Sequence, residues 1–530
     1  MKGGCSVKKL FTNVKSPEVH NLPQRGGIVV GMQKEQGRER IYYVADDSHL
    51  LCIGATRSGK SSCLVIPSIC TLGLSGESMV ISDPKAELFH YCGCKGGFLE
   101  KLGYEVSVLD FKTPKKSMRY NLLQPVIDAI NDGDTDKADM LTWDLTRNLV
   151  GKAEGEKIWT NGESSVIAAS ILCVVCENKN HPENQNLTNV YWFIAEMVKM
   201  IGNKMPLLEY VKKLPANHPA KPLLSISDVA PSRTRGSFYT QALTTLRLFT
   251  SKSIYAITNK SDFHLADVGR KKQALFIILP DEKTTFYPVA SLIVSQQYEL
   301  LATLADSRGG RLERRVNFIL DEYGNFTPIS DMTNKLTVSA GRSMRYSLYI
   351  QGVRQLREKY DEDIAQIIMS NCQTWVYLQA DDADTLKEIS DKLGTYTTSS
   401  YSLSANHAKY STPSSSHSIN LTERKLLNTD EVRRVKRPHQ IVTSREHPAL
   451  MYAPDLSEWM FNKMLGMGDE EHNRRLRQER EEKRPILTDT TQDINLWGIW
   501  VYYQKDIMRR LAQQQQNPQP VGGMPSMDDE

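Results

Sequence analysis

Short apolar segments alternate with longer amphipathic periods along much of the chain from about residue 41. Such segments, bounded by turn-forming residues, are typical of buried β-strands. They occur at 50–53, 78–82, 105–109, 274–279, 316–320, 345–350 and 374–378. Helical periods separate them at 61–72, 85–102, 288–305, 329–340 and 355–369. Strands that alternate with helices predict an α/β fold with a mostly parallel central sheet and right-handed crossovers.

The alternation stops between residues 127 and 250. This stretch shows almost no strand signal but contains long helical periods, at 138–150, 164–176, 188–200 and 238–249. We therefore predict an all-α domain at 127–250, inserted into an α/β domain. The α/β domain would consist of a first part at 40–126 and a second part at 251–455.

The remaining segments have a different character. Residues 1–39 are polar and irregular, which predicts an arm or linker, and the Ser/Thr-rich segment 397–418 is expected to be a flexible loop. Residues 456–530 are predicted to be a helical extension with a disordered tail. Within it, the charged run 469–484 is typical of a solvated helix. The amphipathic run 494–511 either packs on a domain or docks a partner, and we favour packing.

Composition narrows the class of protein without identifying it. Of the 530 residues, 40% are hydrophobic and 24% charged, as in ordinary globular proteins, and the formal net charge is +4. Any nucleic-acid binding must therefore come from a local patch or an assembled ring. No apolar stretch reaches the roughly 18 residues of a membrane-spanning helix, and the N-terminus lacks the apolar core of a signal peptide. Most of the nine cysteines lie in apolar segments, which indicates reduced thiols and a cytoplasmic location.

The strongest chemical signal is a glycine-rich loop between a predicted strand and a predicted helix. It matches the phosphate-binding pattern G-x-x-x-x-G-K-[ST], in which backbone N–H groups curl around phosphate oxygens at a helix N-terminus. Lys60 would reach the β- and γ-phosphates, and the Ser61 hydroxyl would ligate Mg²⁺. The predicted nucleotide-binding residues of this loop are Gly54, Ala55, Thr56, Arg57, Ser58, Gly59, Lys60, Ser61 and Ser62.

A second, acidic signal follows the apolar strand 316–320. Asp321 and Glu322 come directly after it, and ligands of open α/β sheets bind beyond the carboxyl ends of the strands. Asp321 would hold Mg²⁺, directly or through water, and Glu322 would polarise the attacking water as a general base. The alternative is an acidic pair that caps a helix.

Three further side chains are weaker candidates for catalysis. Gln351 ends the strand 345–350 and could contact the γ-phosphate or its water. Arg342 lies just before that strand and Arg345 at its start, and in a ring either could reach the nucleotide of a neighbouring subunit as an arginine finger. For each arginine, a surface position or an ordinary ion pair is the competing interpretation.

Taken together, these motifs resemble the TraG-like coupling proteins of type IV secretion, the ATPases of conjugative DNA transfer. The resemblance rests on GATRSGKS at 54–61, SDPKAEL at 82–88 and FILDEYGNF at 318–326, and it extends in order from about 45 to 450. It implies a RecA-like P-loop NTPase domain with an inserted all-α domain, ATP and Mg²⁺ as cofactors, and DNA-stimulated hydrolysis. It also implies that Asp83 and Lys85 lie near the phosphates.

The resemblance further implies a homo-hexamer that delivers a relaxase–DNA complex, with single-stranded DNA, or a protein substrate to the secretion channel. Relaxosome proteins and channel components would be its partners. Most members of the family begin with two transmembrane helices, and this sequence shows none. We therefore expect a cytoplasmic protein that is peripheral at the inner membrane, with a separate subunit as anchor, or else a truncated chain. The alternatives are an FtsK-like DNA translocase and a nucleotide-regulated substrate adaptor with little hydrolysis.

Overall fold

The computed structural model describes residues 25–35, 38–151, 157–406, 414–444 and 447–516. Its strands are β1 (Ile28–Glu35), β2 (Arg38–Val44), β3 (Leu50–Gly54), β4 (Ser78–Asp83), β5 (Glu105–Asp110), β6 (Gln273–Ile278), β7 (Val316–Leu320), β8 (Met344–Ile350), β9 (Thr374–Gln379), β10 (Thr395–Asn406), β11 (Ser414–Lys425), β12 (His439–Thr443) and β13 (Ala449–Tyr452). Its α-helices are α1 (Ile66–Ser75), α2 (Phe98–Lys101), α3 (Gln124–Asn131), α4 (Thr135–Val150), α5 (Lys157–Glu177), α6 (Leu187–Met197), α7 (Pro206–Lys213), α8 (Ala220–Val229), α9 (Ser232–Leu246), α10 (Lys252–Thr258), α11 (Asp267–Arg270), α12 (Tyr287–Asp306), α13 (Met332–Ser339), α14 (Val353–Tyr360), α15 (Glu362–Asn371), α16 (Ala383–Lys392), α17 (Thr429–Arg433), α18 (Met460–Met464), α19 (Glu470–Glu482) and α20 (Ile499–Gln516).

The chain divides into two compact units. The first contains the described residues up to Lys116 and those of His264–Pro485, and the second contains the described residues of Ser117–Phe263 and those from Ile486 onward. The first unit is α/β and the second is helical.

A large sheet forms the centre of the α/β unit, with the strand order β13-β12-β9-β3-β8-β7-β4-β6-β5. The strands from β9 to β5 are parallel, while β12 and β13 extend one edge in antiparallel fashion. The parallel strands are almost continuously apolar and buried, because helices cover both faces of such a sheet. The predicted α/β class is confirmed. The strand order places β8 between β3 and β7, so the carboxyl ends of these three strands are neighbours.

The predicted helix at 85–102 is interrupted. A π-helical turn spans Phe89–Gly93, and the short helix α2 follows only at Phe98. Between them, Gly96 has a φ of 70°, a left-handed conformation that ends regular helical hydrogen bonding. The apolar periodicity of this segment therefore reflects two short turns that pack on the sheet.

The prediction of an irregular arm through residue 39 is wrong for its described C-terminal part. Strands β1 and β2 form an antiparallel hairpin, in which Val29 and Ile41 are buried. The hairpin is fixed to α1, because Ser68 Oγ accepts a hydrogen bond from Val29 N at 2.9 Å and Thr71 Oγ1 donates to Gly27 O at 2.7 Å. Residues 1–24 lie outside the described part of the chain.

The predicted flexible loop at 397–418 is also largely wrong. Strands β10 and β11 pair in antiparallel register from Thr395↔Lys425 to Asn406↔Ser414, and residues 407–413 lie outside the description. Serine and threonine suggested a loop by composition. However, the two strands also contain threonine, tyrosine, isoleucine and leucine, which favour a β-ribbon once the strands pair.

The helical unit is built around α5, whose residues 166–175 are almost completely inaccessible to solvent. Trp159–Glu177 has the length and apolar composition of a membrane span, contrary to the expectation that no apolar stretch is long enough. However, 72% of this window is buried inside the protein. The central helix of a folded domain has the same properties, and α5 occupies that position here.

The predicted C-terminal extension is divided between the two units. Helix α19 belongs to the α/β unit and has no buried residue, in keeping with a solvated charged helix. Helix α20 belongs to the helical unit and buries Trp500, Tyr503 and Ile507. It contacts α6 and α7, so the amphipathic segment packs on a domain as expected. The disordered tail was predicted to begin with the Gln run 513–516, and this part of the prediction is wrong because the run forms the end of α20. Residues 517–530 lie outside the described residues.

Candidate functional site

The glycine-rich loop leads from the end of β3 into a π-helical turn at Ser61–Val65, which continues as α1. Its first residue is tied to the neighbouring strand, because Ala55 N donates to Gln379 O at 2.7 Å. Thr56 and Arg57 are exposed at the tip of the loop, where Arg57 has a φ of 67°. A short loop that turns sharply can direct its amide groups into one concave space.

Two glycines are required by this path. A Cβ on Gly54 would lie 2.5 Å from Ser58 Oγ, and Gly59 has a φ of 91°, which L-residues with side chains rarely adopt. The Ser58 hydroxyl is buried and has no hydrogen-bond partner among the described residues. A buried, unpaired hydroxyl beside a turn of backbone amides fits the binding of a phosphate oxygen.

Lys60 lies inside the loop and is only 5% exposed. Its Nζ donates to Gly54 O at 2.6 Å and lies 3.5 Å from Glu322 Oε1. The ammonium group is therefore held at the centre of the loop, next to the acidic end of β7. From this position one cation can contact phosphate oxygens and the carboxylate together.

The hydroxyl that follows Lys60 contacts the first acid. Ser61 Oγ donates to Asp321 Oδ2 at 3.2 Å, and Ser82 Oγ donates to Asp321 O at 2.8 Å from the adjacent strand. Burial, and then the negative charge of Glu322, raise the pKa of Asp321 to about 6. A hydroxyl beside a carboxylate is a set of hard oxygen donors that fits Mg²⁺, which keeps most of its water and needs few protein ligands.

The second acid is held by the strand between β3 and β7. Gln351, which follows β8, donates from Nε2 to Glu322 Oε2 at 2.9 Å, and its own N–H donates to Gln355 Oε1 at 2.8 Å. Glu322 has a φ of 50° and a ψ of 42°, so the backbone turns sharply where the carboxylate is presented. The structure thus brings five predicted residues into one contact network: Lys60, Ser61, Asp321, Glu322 and Gln351.

The DPKAEL segment lies at the end of β4 but makes different contacts. Asp83 is buried, and its Oδ2 accepts a hydrogen bond from Phe89 N at 2.8 Å, so this carboxylate holds its own loop. Burial raises the pKa of Asp83, and the nearby negative charge of Asp321 raises it further. The hydrogen bond from Phe89 opposes both effects, and the resulting pKa is about 7. Lys85 is exposed. Its predicted role at the phosphates, like that of Asp83, stays a prediction.

The two arginine candidates have different environments. Arg345 is completely buried, and its Nε and Nη2 donate to Asn317 Oδ1 at 2.9 and 2.7 Å. It is therefore a core residue and cannot be an arginine finger. Arg342 is partly exposed at the amino end of β8, where it pairs with Asp306 at 2.9 Å. That end of the sheet is opposite the glycine-rich loop, so Arg342 could act only on the site of another subunit.

One residue at the loop was missed by the sequence analysis. Arg437, just before β12, lies against Gly59: a Cβ on this glycine would be 2.8 Å from Arg437 Cζ and Nε. Its Nη2 donates to Asp455 Oδ2 at 2.8 Å. No local motif surrounds Arg437, and only the addition of β12 to the sheet beside β9 brings it to the loop.

The sheet order, the glycine-rich loop and the acidic end of β7 define a RecA-like P-loop fold. The type IV secretory system conjugative DNA transfer family matches residues 11–453, and the chain belongs to this family. Curated relatives include Protein VirD4 of Agrobacterium fabrum (strain C58), 26% identical over 76% of this chain and 58% of the relative. Conjugal transfer protein TraG of Escherichia coli is 25% identical over 71% of this chain and 60% of the relative. The chain thus spans about three-fifths of the length of these relatives.

Solved structures show the same fold. The bacterial conjugative coupling protein TrwBdeltaN70 superposes with a TM-score of 0.60 at 15% identity, over 78% of this chain and 86% of that chain. The plasmid coupling protein TrwB in complex with ADP and Mg²⁺ gives a TM-score of 0.57 at 14% identity, over 85% of this chain and 100% of that chain. At this identity the likeness establishes the fold of the present chain.

Proposed function

We propose that this protein is an ATP-hydrolysing coupling protein that links a relaxase–DNA complex or a protein substrate to a type IV secretion channel. The observation that carries the proposal is the contact network of Lys60, Ser61, Asp321, Glu322 and Gln351 at the carboxyl edge of the sheet. This network supplies a cation, hard oxygen ligands and a positioned carboxylate. Phosphoryl transfer to water needs these three groups. Membership of the conjugative DNA transfer family supports the choice of substrate class.

In the proposed mechanism, the amides of residues 54–61 and the Ser58 hydroxyl bind the phosphate oxygens, with Thr56 and Arg57 at the rim and Ser62 at the helix start. Lys60 exchanges its contact with Gly54 O for the β- and γ-phosphates. Ser61 and Asp321 would hold Mg²⁺, which neutralises charge on the phosphates when bound. The TrwB structure with ADP and Mg²⁺ supports this choice of ligands.

Glu322 is the proposed general base. Its carboxylate is placed between Lys60 and Gln351, at 3.5 and 2.9 Å, so two donors orient it toward the γ-phosphate end of the loop. Glu322 accepts a proton from the attacking water as the water oxygen bonds to the γ-phosphorus. The bond from that phosphorus to the β,γ-bridging oxygen breaks, and ADP leaves. Gln351 is a positioning residue, because its side-chain amide holds the Glu322 carboxylate. It lies at the γ-phosphate end of the proposed site.

Assembly and location complete the proposal. We propose a homo-hexamer with single-stranded DNA, relaxosome proteins and channel components as partners, located at the inner membrane. In such a ring, Arg342 would act in trans from the opposite end of β8. The Arg342 guanidinium is partly exposed and pairs with the exposed carboxylate of Asp306, so it can exchange its partner at little cost.

The proposal is tested by ATP turnover of the purified protein, with and without single-stranded DNA, together with its mass in solution. Lys60→Ala should abolish turnover. Glu322→Gln should keep ATP binding and lower turnover by about 10²–10⁴-fold, the usual contribution of a general base. The control is Lys359→Ala, which removes an exposed lysine of α14 and should leave turnover unchanged.

Two results would contradict parts of this proposal. Undiminished turnover in Glu322→Gln would mean that another group activates the water. ATP binding without turnover in the wild type, even with DNA and Mg²⁺, would instead favour a nucleotide-regulated adaptor.

A further inference from the structure

Arg437 occupies a position at the loop that the proposed hydrolytic network does not use. Its guanidinium lies against the Cα of Gly59, where any side chain would collide with it. It also lies near Cys63, in the first turn after the loop, where burial raises the pKa of the thiol and the charge of Arg437 opposes that rise. One edge of the guanidinium is fixed by Asp455 at 2.8 Å, and the side chain remains 37% exposed. A planar cation is therefore held in place next to the phosphate loop and open to a ligand.

The strand order indicates which end of a bound nucleotide would lie near Arg437. Glu322 follows β7 and Gln351 follows β8, and both strands lie on one side of β3. The γ-phosphate must face that side, because Lys60 and Glu322 meet there. Strands β9 and β12 lie on the other side of β3, and Arg437 immediately precedes the Pro-His entry into β12. An extended nucleotide held by the loop thus directs its nucleoside end toward Arg437.

The chemistry of the side chain fits that end. A guanidinium is flat, always charged and weakly hydrated, and it stacks well on aromatic rings. The negative face of a purine attracts such a cation, just as an aromatic side chain does. Asp455 neutralises one edge, and the exposed part of the group, away from Gly59, remains available for stacking.

We infer that Arg437 is a nucleoside-binding residue that stacks on the purine base of the bound nucleotide, anchored by Asp455. The inference rests on the proposed function, because it assumes that the glycine-rich loop binds the phosphates. It adds a base-recognition element from a segment far from the loop in sequence.

The test compares a ligand that has a base with one that has only phosphates. Binding of ADP and of inorganic tripolyphosphate to the full chain is measured by calorimetry in the presence of Mg²⁺. Arg437→Gln should weaken ADP binding about fivefold or more, as expected for the loss of a partly exposed cation–π contact, and should change tripolyphosphate binding less than about twofold. Arg437→Lys should bind ADP as weakly as Arg437→Gln, because lysine keeps the charge but not the plane.

Arg434→Gln is the matched control, since it removes an exposed arginine three residues away and should leave both affinities unchanged. Asp455→Asn keeps the arginine but removes its anchor, and it should weaken ADP binding in the same direction. This variant decides the question if Arg437→Gln does not fold.

Equal weakening of both ligands, or unchanged ADP binding, in Arg437→Gln would overturn the inference. Full recovery of ADP binding by Arg437→Lys would also overturn it, because charge alone would then suffice. If the wild type binds neither ligand, the proposed function itself is wrong and the inference fails with it. That outcome is distinct, since it appears before any substitution is made.

Discussion

A buried ionic cluster at the amino edge of the sheet gives the most quantitative prediction. Glu77, just before β4, is 6% exposed and lies between two buried arginines. Its Oε1 accepts from Arg315 Nη2 at 2.7 Å and from Gly26 N at 2.8 Å. Its Oε2 accepts from Arg315 Nε at 2.8 Å and from Asn317 Nδ2 at 2.9 Å, and it lies 3.9 Å from Arg345 Nη2. Burial opposes ionisation, but Arg315 and Arg345 hold the pKa of Glu77 below its usual value.

The perturbation is Glu77→Gln, which preserves shape and removes the charge. A glutamine must place its NH₂ group where one carboxylate oxygen accepted two hydrogen bonds, so two donors lose their acceptor. One of these bonds involves the Arg315 guanidinium, worth about 1.5–3 kcal/mol, and the other is neutral, worth about 1 kcal/mol. The sum agrees with the roughly 3–5 kcal/mol lost when one partner of a buried ion pair is removed. We therefore expect Glu77→Gln to lower the free energy of unfolding of the α/β unit by about 3–4 kcal/mol.

The assay is urea unfolding at pH 7, which gives the free energy of unfolding. A second measurement, amide exchange in β4, reports the stability of the strand next to the cluster. The matched control is Glu358→Gln, because Glu358 pairs with Arg354 at 2.8 Å on the surface of α14 with both side chains mostly exposed. That substitution should cost less than about 0.5 kcal/mol. The cost of Glu77→Gln should persist in 1 M NaCl, since buried pairs are screened little. A loss below about 1 kcal/mol, or one that disappears in salt, would refute the reasoning.

Two further predictions concern pH and packing. The pKa of Asp83 is about 7 in the folded protein against an ordinary value of 3.8, so the folded state binds the proton more tightly and loses stability as pH rises from about 4 to about 7. Asp83→Asn removes this loss. In Mg²⁺-free buffer, the urea midpoint of Asp83→Asn should therefore increase relative to that of the wild type as pH rises from 4 to 8. A difference between the two midpoints that does not change with pH would contradict the raised pKa of Asp83. Ile507→Ala should destabilise the helical unit by about 2–4 kcal/mol, read by tryptophan fluorescence, because Ile507 is 1% exposed in α20. The exposed neighbour Met508→Ala is the control, and equal effects of the two substitutions would argue against the packing of α20.

The glycine-rich loop was predictable because its chemistry is local. Gly54 and Gly59 belong to one turn, and Lys60 and Ser61 follow directly. The acidic pair was predictable for a related reason. A run of apolar residues marks β7 as a buried strand, and the carboxyl ends of parallel strands meet at one edge of the sheet. The meeting of Gln351 with Glu322 follows once β8 lies beside β7.

Other features depended on pairing between distant segments. Arg345 was a candidate because it is an arginine at the start of a predicted strand. However, this strand lies in the middle of the sheet and buries Arg345 beside Asn317. The Ser/Thr-rich segment forms the ribbon β10–β11 because two stretches of chain align, and composition alone does not report alignment. The hairpin β1–β2 was missed because the prolines and the Gly26-Gly27 pair before it suggested a linker. Its apolar residues are buried where β1 packs on α1 and β13.

The alternation of strands and helices, the glycine-rich loop and the acids after β7 could be predicted from the sequence, because these depend on neighbouring residues and on the direction of parallel strands. The tertiary structure alone decided the order of strands, the burial of Arg345, the split of the C-terminal extension between two units and the approach of Arg437 to Gly59. Each of these brings together residues that are distant in the chain. Their contacts are selected by the burial of whole faces of the sheet and helices, and no local pattern encodes that selection.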